Sequence, residues 1–155
     1  MAKDQDQYLK ALNEEYIALG AKLTEGFITV CELVDGTERD QVTLSNLHVS
    51  DAHLMATGFN GLRELCILEI QLGGDKEFQK GHNPFEVGKD FASYIIFGGE
   101  DQSKVYANGE LILDKYEKEQ PMVGTYNLSF RRNSKEHKVG GKVNPEQKPV
   151  GSAPL

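Results

Sequence analysis

The sequence predicts a mainly β fold: an antiparallel sandwich or partly closed barrel of about seven to eight strands, with one N-terminal α-helix and an extended C-terminal tail. Three observations carry this. Apolar and polar residues alternate in several short runs, most clearly from Met122 to Phe130. There Met122, Gly124, Tyr126, Leu128 and Phe130 share one face, and Val123, Thr125, Asn127, Ser129 and Arg131 share the other. Turn-forming residues punctuate the runs at Asp35-Gly36, Asn60-Gly61, Gly98-Gly99, Asn108-Gly109 and Gln120-Pro121. Finally, only one stretch has sustained helical spacing. The links between strands are mostly short, which favours antiparallel pairing.

That helical stretch runs from Asp4 to Leu19. Leu9, Leu12, Tyr16, Leu19 and Leu23 recur at three- and four-residue steps and form one narrow stripe. Asp4 or Asp6 caps its start, and Gly20 stands where a left-handed C-terminal residue belongs. The stripe suits packing on the protein's own sheet or against a neighbouring subunit.

Phe27 to Val34 is apolar on both faces and rich in β-branched residues, as a central strand is. Gln41 to Val49 reads as one further strand. Ser50 to Gly58 fits either a short helix capped by Ser50 or a loop and short strand. Leu62 to Leu72 reads as a strand with Leu62, Cys66, Leu68, Ile70 and Leu72 on one face and Leu65 and Ile67 on the other. Gly73 to Asp90 is the longest irregular stretch, of the kind that is usually functional or touches another chain. Phe91 to Phe97 is a short apolar strand. Asn108-Gly109 suits a two-residue type I′ hairpin returning along Glu110 to Tyr116.

After Arg132 the composition changes. The division expected is one helix-plus-β domain over residues 1–132 and an extended basic arm over 133–155. Up to Phe130 the chain has 11 Lys/Arg and 22 Asp/Glu. Beyond it stand six basic residues (Arg131, Arg132, Lys135, Lys138, Lys142, Lys148) and two acidic ones. In isolation such a segment buries too little to order itself, so it reads as an arm held by another chain. Val139 and Val143 are its candidates for pairing with a sheet edge.

The whole chain of 155 residues carries a net charge of −7. An acidic body argues against direct nucleic-acid binding, and no apolar run is long enough for a membrane helix. The polar start, MAKDQDQ, does not resemble a signal peptide. Cys31 and Cys66 lie in apolar stretches without metal spacing and read as reduced core thiols of a cytoplasmic protein, though the spacing leaves a disulfide open.

The strongest chemical cluster is His48, Asp51 and His53, with His82 in the glycine-rich stretch as a distant third imidazole. Imidazoles with a carboxylate are a partial metal set. But a five-residue step splits the histidines across a strand and separates them on a helix, so surface or turn histidines are the simpler reading. His82 with Asp90 or Asp51 would make a base and its orienter on residue type alone. No phosphate loop, calcium loop or nucleophile motif is present in the sequence. No cofactor is implied.

Two functions are therefore expected. The first is a non-catalytic structural subunit of a large homo-oligomer, such as a virion or tail component, contacting its own copies or other particle proteins. The second is a small-molecule-binding or enzymatic domain that uses His48, Asp51, His53 and His82 in a cavity.

Overall fold

Alternation and short links do fold the chain into two antiparallel sheets. The computed structural model describes residues 2–97, 104–117 and 120–144, with residues 2–4 described by backbone alone. Helix α1 spans Ala2–Ala18. The strands are β1 (Lys22–Thr24), β2 (Ile28–Val34), β3 (Thr37–Glu38), β4 (Val42–Leu44), β5 (Asn46–Val49) and β6 (His53–Phe59). They continue as β7 (Leu65–Gln71), β8 (Gly81–Phe85), β9 (Phe91–Ile96), β10 (Asn108–Lys115), β11 (Val123–Arg132) and β12 (Lys135–Val143).

One sheet has the order β1-β5-β6-β7-β9. The other runs β3-β2-β12-β11-β10-β8, with β4 also paired to β2. Neither closes into a barrel, so the architecture is a β-sandwich with an N-terminal helix.

The inner faces meet in the main core, around Ile28, Val30, Leu54, Leu68, Leu111 and Leu128. A smaller second core lies on the other face of the five-stranded sheet. There Leu12 and Tyr16 of α1, flanked by Tyr8 and Leu9, pack on Met55, Leu65, Ile67, Ile95 and Phe97. The layers are thus helix, helix-side sheet and open sheet. The outer face of the open sheet is the one its alternation leaves to solvent: in β11, Thr125, Asn127, Ser129 and Arg131 are exposed while Tyr126, Leu128 and Phe130 are buried. Leu19 and Leu23 depart from the expected helical stripe. Leu19 lies past the end of α1 and Leu23 on β1, because the chain turns at Gly20 (φ +91°).

The largest departure is the C-terminal arm. Residues 135–143 form β12, an interior strand bonded to β11 on one side and β2 on the other. A boundary at 132 therefore cuts a hairpin whose turn, Asn133-Ser134, has φ of 53° and 64°. Positive φ at both positions is the type I′ requirement, and asparagine tolerates it well. The low hydrophobicity is that of a strand with one face outwards: His137, Val139 and Val143 go in, Glu136, Lys138 and Lys142 go out. Lys148 lies outside the described residues, as does the turn expected at Gly98-Asp101.

Asn108-Gly109 is not a hairpin turn. Both residues lie in β10, paired with β11 at Ser129 and Leu128. The glycine serves close packing instead, since a Cβ at Gly109 would stand 2.0 Å from the carbonyl oxygen of Asn127. The expected single strand Gln41–Val49 is two strands in different sheets. The chain crosses from the open sheet to the helix-side sheet at Ser45.

Gly73–Asp90 is not irregular throughout: it contains β8, paired with β10, and the loops on either side of that strand are held in place. The buried Asp90 carboxylate accepts the amides of Gly73 (2.8 Å) and Glu86 (3.0 Å) and the Lys76 ammonium (2.6 Å). Asn83 bonds the carbonyls of Gln79, Gly81 and Leu111 and seats the edge strand β8. Cys66 is a buried thiol, whereas Cys31 is only half-buried; both are free, and Cys31 is thus not the core residue expected.

Candidate functional site

At one end of the sandwich the two sheets separate. The β5–β6 hairpin and β1 form one wall. The end of β10, the start of β11 and the end of β12 form the other. Asn144 ties that end together: its side chain accepts the Phe27 amide and donates to the Met122 carbonyl, both at 2.8 Å. The gap is a cleft of about 960 Å³. Its floor is apolar, with Leu47, Val49, Leu54, Met122 and Val143. Among the described residues its ionisable rim holds four carboxylates (Glu25, Asp51, Glu77, Glu117) against a single lysine, Lys22, and the imidazole of His53.

The hairpin turn sets the polar geometry. Ser50 Oγ accepts the amides of Ala52 (3.3 Å) and His53 (3.0 Å) and lies 2.7 Å from His53 Nδ1. With two amides donating to it, the hydroxyl gives its own hydrogen to Nδ1. Partial burial holds the His53 pKa below that of a free imidazole, so the ring is neutral at pH 7. This resembles a nucleophile and base in spacing, but no described residue orients the ring from its other nitrogen. Across the cleft the Tyr116 hydroxyl bonds Asp51. Burial first, and then the negative charges of Asp51 and Glu77, raise its pKa. Tyr116, Glu77 and Glu117 were not legible as site residues, since only the folded chain brings them to Asp51.

The four sequence candidates are not assembled. Asp51 and His53 share the cleft. His48 is buried opposite Leu23 and Met55, on the face of the sheet that carries α1. His82 is on the open sheet, its Nδ1 at 3.2 Å from Glu110 Oε2. Its expected partners are engaged elsewhere, Asp90 with the 73–86 loop and Asp51 with Tyr116. Among the described residues no three histidine, cysteine or carboxylate side chains are grouped to hold a metal ion.

The expected assembly residues divide in the same way. Arg131, Lys135, Lys138 and Lys142 are exposed. Arg132 is buried, donating to the Tyr94 carbonyl at 3.1 Å and lying over the Phe130 ring. Val139 and Val143 belong to the main core and lie on a strand already paired on both sides, with β11 and with β2.

Two buried ionic clusters were also not anticipated. Beneath α1, Glu69 accepts the Tyr16 hydroxyl (3.0 Å) and pairs with Lys104 (2.9 Å). Burial disfavours the charged lysine, but Glu69 and Tyr8 outweigh it and raise its pKa. At the far end of the sandwich from the cleft, Glu32 bonds His137 (2.6 Å) and Arg39 (3.2 Å). The only sequence signal for either was a charge at an inward-facing strand position.

The fold and cleft thus define a helix-covered antiparallel β-sandwich with an acidic, apolar-floored opening. No protein-family model matches the chain, and no similar characterised protein or solved structure is found. Among the described residues no helix is long and apolar enough to cross a membrane.

Proposed function

We propose that the chain is a non-catalytic structural subunit that assembles with copies of itself, as a building block of a virion, tail or similar particle. Its setting would be the cytoplasm or the particle itself, with other particle proteins as further partners. One observation carries this reading. Ile17, Leu19 and Leu23 are 59%, 41% and 68% exposed beside β1, an edge strand whose only partner among the described residues is β5. An unpaired edge flanked by exposed large apolar side chains is a template for strand addition by another chain. The exposed basic residues of β11 and β12 on an otherwise acidic protein add an electrostatic component.

Sedimentation of the full chain tests it. The wild type should run heavier than the 17.2 kDa single chain, and more so at low salt. Leu23→Lys places a charge on the edge and should shift the protein towards monomer with unchanged circular dichroism. A wild type that stays monomeric at high concentration sinks the proposal.

The cleft favours a second reading, a small-molecule-binding or enzymatic domain. It places Asp51 and His53 on the rim of a space within the usual size range of ligand sites, roughly 300–1,000 Å³.

A further inference from the structure

We infer that the cleft binds an amphipathic amine, a small molecule with an apolar body and one protonated ammonium group. This rests on the second reading above and names its ligand class. The apolar body is called for by the floor, where Leu54 and Met122 face a space that water alone would fill unfavourably. The positive head is called for by the rim. Asp51, Glu77 and Glu117 stand over that floor together with Tyr116, and Glu25 extends the negative edge. Among the described residues Lys22 is the one lysine or arginine that lines the cleft, and His53 is neutral at pH 7, so the described rim is net negative.

An ammonium bound beside Tyr116 would gain from the carboxylates and from the ring face at once. Burial is the main cause of the raised Tyr116 pKa, and the charges of Asp51 and Glu77 add to it at the same point. An anionic amphiphile would meet repulsion at the rim, and a neutral one would gain only the floor. A bare metal ion would leave the floor uncovered.

Titration calorimetry on the full chain, with octylamine, octanol and octanoate as probes, tests this. Octylamine should bind at least about ten-fold more tightly than octanol, and octanoate weakest of the three. The double variant Glu77→Gln/Glu117→Gln should weaken octylamine about five-fold or more and leave octanol unchanged. Both substitutions are at exposed positions, so the variant should fold; its circular dichroism and sedimentation should match the wild type. Equal binding of the three probes overturns the amine inference and leaves a ligand-binding domain standing. Binding of none of them overturns both. Neither outcome bears on the assembly reading, which sedimentation decides.

Discussion

The helix-side sheet is covered on both faces and the open sheet on one. In β7 every residue from Leu65 to Ile70 is buried, whereas β11 alternates buried and exposed through its last eight residues. Their residue types differ to match: β7 is apolar at every position from Leu65 to Ile70 except Glu69, whereas β11 sets Thr125, Asn127, Ser129 and Arg131 on its outer face, and the element that makes the difference is α1. A doubly covered strand has no solvent side on which to place a charge, so Glu69 had to be given Tyr16 and Lys104 as partners. On the open sheet Arg131, Lys138 and Lys142 are exposed on the outer face. Polar residues are thus cheap on one sheet and tightly constrained on the other.

The largest expected effect breaks the open sheet. Deleting residues 133–155 removes its interior strand and should abolish the native circular dichroism and the cooperative melt. Deleting only 145–155 should leave both intact, which would place the edge of the foldable unit near Asn144. Next, Ile67→Ala beneath the helix should cost about 2–4 kcal/mol in denaturant unfolding. Leu128→Ala, on the inner face of β11, should cost a similar amount, while Thr125→Ala on its outer face should cost less than about 0.5 kcal/mol. A Thr125 effect as large as that of Leu128 would mean the open face is covered.

Lys104→Met should cost about 2–3 kcal/mol because it strands the buried Glu69 carboxylate. This is below the usual penalty for breaking a buried pair, since the lysine side chain is itself 32% exposed. Adding Glu69→Gln should recover part of the loss. Asp90→Asn should cost less again than Lys104→Met, about 1–2 kcal/mol at pH 7. Burial alone would raise the Asp90 pKa, but the Gly73 and Glu86 amides and Lys76 outweigh it and hold the pKa below the ordinary value. Its folded pKa lies under its unfolded one, so the contribution is complete above about pH 4 and fades as pH falls through the folded value. The difference between wild type and variant should therefore shrink in acid; a constant difference would mean the carboxylate charge is not what holds the loop.

The sandwich and its helix were legible because hydrophobic period is a local property. The register of Met122–Phe130 and the two faces of the Leu62–Leu72 run followed from it, except that Leu62 is exposed in the turn before β7 and not on its apolar face. Residues 133–143 misled for a physical reason. A strand that contributes only His137, Val139 and Val143 to the core has the composition of a tail, and its order comes from β2 and β11, not from itself. Asn108-Gly109 misled because glycine answers two demands, positive φ and close approach, and the sequence does not say which. The cleft was half visible. Asp51 and His53 are adjacent in sequence, but Glu77, Tyr116 and Glu117 reach them only through the separation of two sheets.

The place of β12 also bears on how the protein is made. In Glu32–His137 it joins positions 105 residues apart, and it sits between two strands synthesised before it. While the chain emerges from the ribosome, β2 and β11 cannot pair across the gap, and both present bare edges until β12 arrives. High contact order of this kind makes folding slow and leaves the nascent chain prone to aggregation. The open sheet should therefore form only after residue 143 has cleared the exit tunnel, and a ribosome stalled before that point would hold a chain that still lacks the middle strand of its own sheet.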